Sequence, residues 1–282
     1  MEIFNLDKTM KLPILELNCT TIGNFDGVHI GHQNLIKETK EAGFKSLVIT
    51  FDEINKDNLF TLEDKIEKIK QLEVDYLIIL KYEDFKNMFY TEFIKMLKKL
   101  KTKKVVIGKD FRFGFKQEGD YIDLENKFEV KRLDDILIDN KRISSTSIRQ
   151  YLTEGSLEKV NELLGYNYFV KGIVVKGNQL GRTIGFPTAN LETIVHLIKP
   201  GVYKTITFYD DKEYKSITNI GVNPTFNKVD TLKIETFLLN ENIDLYDKEI
   251  KVEFITKLRD EKKFNNKEEL IEVLNNDTKS WL

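Results

Sequence analysis

The sequence predicts two domains in series, a doubly wound α/β domain followed by a small antiparallel β-barrel. Its 282 residues are enough for two compact cores. In the first half, short apolar runs alternate with helical patterns, which favours a parallel sheet covered on both faces. In the second half, strand-like runs follow one another with no helix between them, which favours antiparallel pairing closed into a barrel.

Each predicted element of the first half rests on a local pattern. The β-rich segments contain Val, Ile, Leu and Thr, and Gly43 closes the first helical pattern. One predicted strand ends within 20–25, and the other predicted strands are 46–51, 76–80 and 104–108. The predicted helices cover 32–42, 62–72 and 89–100.

The second half begins after a helical segment, 147–164, which the pattern breaks near Gly155. Because Gly165 ends that segment, we predict domains at 1–165 and 166–282. A terminal helix is expected over 267–274, with apolar residues on one face. The predicted barrel strands are 169–176, 202–209, 214–220, 232–239 and 250–258.

Composition limits the classes of function. With 44 basic and 46 acidic residues, the chain carries a net charge of −2, which argues against a nucleic-acid or anionic-membrane surface. The basic cluster 98–104 is typical of a solvated helix end, with attraction of anionic substrates as the alternative. The single cysteine, Cys19, fits a packed strand and a reducing compartment. Without an apolar signal segment or a run of about 18 apolar residues, we expect a cytoplasmic protein that neither enters nor binds a membrane.

A Gly-rich segment, 23–32, follows a predicted strand and opens a helix. Glycines let a backbone turn tightly and approach a phosphate, and a helix start offers unpaired N–H groups to an anion. His29 and His32 are three residues apart, so both can face the same phosphate. This pattern favours transfer chemistry on a nucleotide, in which imidazoles stabilise a phosphate leaving group. The alternative is an ordinary turn with exposed histidines.

Two further segments favour the same site. Asp110 and Arg112 follow the fourth apolar strand, where parallel sheets bind ligands, although a salt-bridged loop would also explain them. Three hydroxyl residues lead into the next helix, and Arg149 projects from its first turn. Helix capping explains one hydroxyl, and a phosphate clamp explains the whole cluster. The hydroxyl residues are Ser144, Ser145 and Thr146.

The C-terminal half has its own glycine-rich segment, 177–190. Thr188 and Asn190 alternate on an extended chain, so both face one side and can offer oxygen ligands to Mg²⁺ held by ATP phosphates. A decorated β-turn is the alternative. Glu235 lies in a β-rich run, where most glutamates occupy the wet face. If it faces the barrel mouth instead, it can accept the proton of a hydroxyl group.

The three N-terminal segments, in this order, resemble the adenylyltransferase half of the prokaryotic bifunctional riboflavin kinase/FMN adenylyltransferase family. The resemblance implies the HxGH nucleotidyltransferase variant of a Rossmann-like sheet. It also implies that His29, His32 and Arg149 are catalytic, with His29 and His32 on the ATP phosphates. The ATP-binding residues implied around them are Gly23, Phe25, Gly27, Gly31, Asp110, Arg112, Ser144, Ser145 and Thr146.

One departure from this family lies after the second predicted strand. The family usually carries Thr-Phe-Asp-Pro-His-Pro, whereas this chain has Thr50-Phe51-Asp52 followed by Glu53-Ile54-Asn55. The shape of the loop over the FMN site is therefore open. An alternative hypothesis follows, in which only the kinase works and the adenylyltransferase half is impaired.

The second half resembles the riboflavin kinase unit of the same family, a small β-barrel. Supporting segments are 201–203, 219–226, 244–246 and 258–264. The resemblance implies that Glu235 is the base for the ribityl 5′-hydroxyl and that Thr188 and Asn190 bind Mg²⁺ and ATP. It also implies that Gly181 and Arg182 bind ATP. Arg259 and Phe264 are implied to border the flavin.

The resemblance therefore implies two sequential reactions, riboflavin to FMN and FMN to FAD, each using ATP and Mg²⁺. Riboflavin, FMN, FAD and ATP are the expected small-molecule partners, with no nucleic-acid partner. A flavin-binding or regulatory protein without turnover is the hypothesis from another class. The combination of Thr188, Asn190 and Glu235 argues against it, since storing a flavin needs neither a metal ligand nor a base.

Overall fold

A computed structural model describes residues 1–53, 57–177, 185–193, 197–223, 231–241 and 243–281, without the side chains of 222, 223 and 231. Its contacts divide the chain into two compact units, Met1–Ser145 and Thr146–Leu282. The helical segment before Gly165 is thus grouped with the second unit. The domain boundary between 165 and 166 stays a prediction. No helix among these described ranges is long and apolar enough to cross a membrane.

The first unit contains a six-stranded parallel sheet with the strand order β1-β4-β3-β2-β5-β6. The predicted Rossmann-like α/β class is confirmed. Strands β1 and β6 were not among the predicted elements; both lie at the edges of the sheet. The strands are β1 Glu2–Leu6, β2 Asn18–Ile22, β3 Lys45–Phe51, β4 Tyr76–Leu80, β5 Thr102–Gly108 and β6 Glu129–Leu133.

Helices cover both faces of this sheet, as the continuous apolar strands predict. Val48 of β3 packs in a cluster with helix residues Ile36 and Ile69, whereas Leu47 and Ile49 pack in a cluster on the other face. Consecutive strand residues therefore enter different cores. The helices of this unit are α1 Ile30–Lys40, α2 Leu62–Gln71, α3 Tyr82–Phe85, α4 Tyr90–Lys99 and α5 Tyr121–Glu125, and a small hairpin joins β7 Leu137–Ile138 to β8 Lys141–Arg142.

The second unit begins with two helices, α6 Ser145–Glu154 and α7 Leu157–Leu164, with the break at Gly155 where it was predicted. A closed antiparallel barrel follows, in the order β10-β13-β12-β11-β14-β9, and confirms the predicted class. Its strands are β9 Phe169–Val175, β10 Thr188–Glu192, β11 Gly201–Tyr209, β12 Lys212–Asn223, β13 Thr231–Leu238 and β14 Glu249–Arg259, and the last helix is α8 Lys267–Lys279.

The barrel interior includes a cluster of hydroxyl side chains. Each is fully buried, and each hydroxyl lies 2.8 Å from at least one other hydroxyl of the cluster. Paired hydroxyls avoid the cost of burying unsatisfied polar groups. The register of the strands that carry them is thereby reinforced from inside. The cluster consists of Thr205, Thr207, Ser216, Thr218 and Thr236.

Candidate active sites

The Gly-rich turn between β2 and α1 has an unusual backbone. Phe25 has φ 52°, Gly27 has φ 80° and Val28 has φ 35°, around a 3₁₀ turn at Asp26–Val28. Glycine accepts this left-handed region without cost, whereas Phe and Val are strained there. Phe25 and Val28 are buried, at 1% and 2% exposure, so packing holds the strained conformation.

His29 and His32 meet at the start of α1. Nδ1 of His29 accepts the N–H of His32 at 3.4 Å, so His29 caps the helix. The two imidazole rings stack with centroids 3.6 Å apart and 17° between their planes. A Cβ at Gly31 would lie 3.2 Å from the His29 ring, which explains a glycine between them. The predicted juxtaposition of the two histidines is therefore present.

Both imidazoles are held in the neutral form. Burial lowers the pKa of His29 to about 4, and the charge of Arg142 lowers it further against a backbone hydrogen bond. Desolvation also lowers the pKa of His32 well below its ordinary value, followed by the charges of His29 and Lys65. Nδ1 of His32 is buried and has no hydrogen-bond partner among the described residues. Neutral imidazoles offer one N–H donor each at pH 7.

The hydroxyl segment before α6 reaches this turn. Oγ of Ser145 donates to the carbonyl of Asp26 at 2.8 Å, and the Asp26 carboxylate accepts the N–H of Leu59 at 2.9 Å. Ser144 lies next to it in the same unit. Thr146 and Arg149 belong to the second unit, so their predicted place beside the phosphates stays a prediction.

Asp110 and Arg112 are both engaged in ion pairs. Asp110 pairs with Arg142, and Nη1 of Arg112 lies 3.1 Å from a carboxylate oxygen of Asp120. Both pairs are largely exposed, so they contribute little to stability. The salt-bridged loop anticipated as an alternative is thus present, and the ATP-binding role of these two residues stays a prediction.

Lys65 is a residue of this region that the sequence analysis missed. It lies on α2, is only 6% exposed, and Nζ donates to the carbonyls of Asn24 at 3.0 Å and Phe51 at 2.7 Å. Burial lowers the pKa of Lys65 to about 8, against the opposing charges of Asp26, Glu53 and Asp52, in that order. Nothing in an amphipathic helix pattern distinguishes this lysine from its exposed neighbours.

In the second unit, strand register brings the predicted kinase residues together. Asn190 of β10 is directly opposite Glu235 of β13, and Glu235 is in turn opposite Asn219 of β12. Residues paired in this way present their side chains on the same face of the sheet. Thr188, two residues before Asn190, shares that face. One face therefore carries a hydroxyl, two amides and a carboxylate.

This face is the outer face of the barrel. Ile234 and Thr236 are fully buried, whereas Glu235 between them keeps 25% of its side chain exposed and pairs with Lys233 at 2.7 Å. Glu235 therefore occupies the partly exposed face, the environment given above as the alternative to the barrel mouth, and its role as a base stays a prediction. The same alternation that exposes Glu235 also places it beside Asn190.

The amide of Asn190 is buried and incompletely satisfied. Asn190 is 8% exposed, and its Oδ1 has no hydrogen-bond partner among the described residues. A Cβ at Gly177 would lie 2.3 Å from Nδ2 of Asn190, so any larger residue there would displace the Asn190 amide. Next to Thr188 lies a cavity of about 200 Å³, lined also by Asp244 and Tyr246. A buried oxygen that has no partner among the described residues and lies on the strand position opposite Glu235 suits a bound cation.

The two predicted flavin-bordering residues lie at the end of the barrel. Arg259 makes a bidentate pair with Asp277 of α8, with an Nη2 to carboxylate distance of 2.8 Å. Phe264 packs under the ammonium of Lys262, 5.8 Å from the ring centroid. The predicted ATP-binding residues Gly181 and Arg182 lie outside the described residues. No cluster of three His, Cys, Asp or Glu side chains that could hold a metal occurs in the described ranges.

Comparison with known proteins identifies both halves. The family model described as FAD synthetase matches residues 13–147, and the one described as riboflavin kinase matches residues 164–282. A solved structure from Streptococcus pneumoniae, titled a macrolide-efflux protein, covers 100% of this chain and 99% of its own, with a TM-score of 0.91 and 27% identity. That likeness extends the shared fold over the whole chain.

Curated relatives agree with the family models. Listeria monocytogenes has a protein 37% identical over 91% of this chain and 88% of its own length. Bacillus subtilis has a protein that is 36% identical over 91% of this chain and 89% of its own length. Both are named bifunctional riboflavin kinase/FMN adenylyltransferase. With both family models matched and the Gly-rich turn and the threonine–asparagine strand in place, the chain belongs to the bifunctional riboflavin kinase/FMN adenylyltransferase family, whose members are transferases.

Proposed function

We propose that the second unit phosphorylates riboflavin on the outer face of the barrel. The observation that carries this assignment is the register that sets Asn190 opposite Glu235. The riboflavin 5′-hydroxyl oxygen attacks the γ-phosphorus of ATP, and the bond to the bridging oxygen of ADP breaks. Glu235 accepts the hydroxyl proton. The products are FMN and ADP.

Mg²⁺ fits the oxygen atoms of this site. The buried Oδ1 of Asn190, which has no partner in the described part of the chain, and the hydroxyl of Thr188 would hold the ion together with the ATP phosphates. A bound Mg²⁺ neutralises phosphate charge in such transfers. The cavity beside Thr188 would receive part of the nucleotide.

The first unit uses a different transfer. A phosphate oxygen of FMN attacks the α-phosphorus of ATP, and the bond to the β-phosphate oxygen breaks, which releases pyrophosphate and leaves FAD. No proton needs to move. The neutral imidazoles of His29 and His32 donate to the phosphates while charge develops on the leaving group. Here too, Mg²⁺ would accompany the triphosphate.

The family implies that ATP is a substrate of both reactions. It also implies that riboflavin, FMN and FAD are the flavins that the chain binds as substrates or products. The balanced charge of the chain supports a protein without a nucleic-acid partner. The single buried cysteine supports a reducing compartment, the cytoplasm.

The test is to incubate the purified chain with riboflavin and ATP, with and without Mg²⁺, and to separate the flavins by chromatography. We expect FMN and then FAD in the presence of Mg²⁺, and neither when the metal is chelated. Accumulation of FMN without FAD, also when FMN is supplied, would instead support the kinase-only hypothesis. Riboflavin that stays unchanged would support a binding protein without turnover.

A further inference from the structure

We propose that Lys65 is a positioning residue for FAD formation, which holds the Gly-rich turn in the shape that receives the ATP phosphates. This inference rests on the assignment of those phosphates to the histidine-bearing turn. Lys65 itself lies on α2, outside the turn and outside the segments identified from the sequence.

The ammonium of Lys65 ties together the ends of two neighbouring parallel strands. Asn24 follows β2 by two residues, Phe51 is the last residue of β3, and Nζ donates to both carbonyls. A third contact, 3.4 Å long, reaches Oδ1 of Asn24. Ligands bind at the carboxyl ends of strands in α/β sheets. The lysine therefore crosses the edge of the sheet where the reaction takes place.

The carbonyl of Asn24 accepts a second hydrogen bond, which further fixes the peptide group between Asn24 and Phe25. Oγ1 of Thr50 donates to the same Asn24 carbonyl at 3.0 Å. In a trans peptide the carbonyl and the following N–H point in opposite directions. With the Asn24 carbonyl held by Lys65 and Thr50, the N–H of Phe25 points away from α2. Backbone N–H groups of such turns are the usual donors to phosphate oxygens.

Packing alone does not require a lysine here. Burying an ammonium costs free energy unless it is hydrogen-bonded, and an apolar side chain of the same length would fill the space without that cost. Lys65 makes its hydrogen bonds to main-chain carbonyls that define the turn. We therefore attribute the charge at this position to control of the turn rather than to the filling of space.

The loop in which this chain departs from its family is connected to the same network. Nδ2 of Asn24 donates to the Glu53 carboxylate at 3.4 Å, and Nδ2 of Asn58 donates to the Glu53 carbonyl at 2.8 Å. Glu53 occupies the place of the first proline of the family pattern. Its negative charge raises the pKa of Lys65 against burial and so keeps the ammonium charged.

The experiment compares Lys65→Met, which keeps the length of the side chain, with Lys65→Arg, which keeps the charge. Lys70→Met is the matched control, an exposed lysine on the same helix. For the full chain, FAD formation from FMN and FMN formation from riboflavin are measured separately. We expect Lys65→Met to lower kcat of FAD formation at least tenfold, with FMN formation within twofold of wild type. Lys65→Arg should keep a large part of the wild-type kcat of FAD formation. Lys70→Met should change neither the rate of FAD formation nor that of FMN formation.

The pH profile separates positioning by charge from a structural role. The groups that face the ammonium are Asp26 in the turn, Asp52 and Glu53 after β3, and His32 on α1. Since the pKa of Lys65 is about 8, kcat/KM for FAD formation by the wild type should fall as the pH rises above 8. The arginine variant stays charged and should lack this fall.

Two outcomes would overturn the proposal. One is FAD formation by Lys65→Met within twofold of wild type. The other is an alkaline fall that is identical in wild type and Lys65→Arg. A wild-type chain that makes FMN but no FAD would instead contradict the adenylyltransferase function itself, and a loss of both activities in Lys65→Met with normal activity in Lys65→Arg would mark a purely structural lysine.

Discussion

In the first unit the candidate functional side chains lie on a turn between a strand and a helix, whereas in the second they lie on neighbouring strands of a barrel. The turn holds its histidines through strained backbone at Phe25 and Val28 and through stacking of the His32 ring on the buried ring of His29. The barrel holds Asn190 and Glu235 through strand register. A site on a turn is thus specified by local residues, and a site on a sheet is specified by residues far apart in sequence.

The two sites also differ in electrostatics. The imidazoles of the first site are neutral because burial lowers their pKa, so they act as hydrogen-bond donors without a full charge. The second site carries the partly exposed carboxylate of Glu235 with the ammonium of Lys233 beside it. Of the two proposed reactions, only the kinase reaction needs a proton transfer, and the Glu235 carboxylate is the proposed base for it.

The largest expected effect concerns Glu235, the proposed base of the kinase reaction. Glu235→Gln should lower kcat of riboflavin phosphorylation by about 10²–10⁴-fold, since that is the usual contribution of a general base. FAD formation from supplied FMN should not change. Glu253→Gln is the matched control, because Glu253 also lies in a barrel strand and pairs with a lysine two residues earlier, Lys251. Equal kcat values for Glu235→Gln and Glu253→Gln would refute the assignment.

The next largest effect concerns the two histidines of the Gly-rich turn, His29 and His32, in FAD formation. Replacing His29 and His32 singly by Asn should lower kcat of FAD formation by about 10²–10³-fold, the usual cost of losing one donor to a developing charge. Phosphorylation of riboflavin should remain, since the second unit provides that site. His196→Asn, at the remaining histidine of the chain, is the control. FAD formation that survives both single replacements would show that the turn does not bind the reacting phosphates.

A smaller effect tests the metal ligands. Thr188→Val keeps the shape of the side chain but removes its hydroxyl, and we expect kcat/KM for ATP in the kinase reaction to fall about tenfold, or ~1.4 kcal/mol. Thr188→Ser keeps the hydroxyl and should stay close to wild type. Higher Mg²⁺ should partly restore the valine variant. If valine and serine variants behave alike over the whole Mg²⁺ range, the hydroxyl is not a ligand.

The smallest effect concerns stability. Since the pKa of His29 is about 4 when folded and near 6.5 when unfolded, the unfolded state binds more protons between these values. His29 should therefore lower the free energy of unfolding of the first unit by about 1 kcal/mol between pH 7 and pH 5.5, and His32, whose pKa is lowered as well, should add to this fall. Circular dichroism would follow both units, and fluorescence of Trp281, the one tryptophan, would follow only the barrel.

His29→Asn is the control for that measurement. It should remove the part of the acid sensitivity that His29 contributes, about 1 kcal/mol, and leave the fluorescence transition unchanged. Acid sensitivity that is undiminished in this variant, or that appears equally in the fluorescence of Trp281, would show that other groups dominate the pH dependence.

The sequence alone determined the two fold classes, the break at Gly155 and the histidine-bearing turn. These features are local: alternation of apolar runs, and Gly and His within ten residues, can be interpreted without knowing what lies opposite. Strands β1 and β6 escaped prediction; β6 has only exposed and half-buried residues, and a buried residue occurs only at the end of β1. Such edge strands lack the continuous apolar run that marked the central strands.

Only the tertiary structure decided which distant residues meet. Nothing near Glu235 in the sequence indicates that Asn190 is its cross-strand partner, because register depends on the closure of the whole barrel. Lys65 likewise looks like any helix lysine until its ammonium is found between the carbonyls of Asn24 and Phe51. Local patterns specify the elements and turns, whereas burial and pairing across the fold specify the environment of each charge.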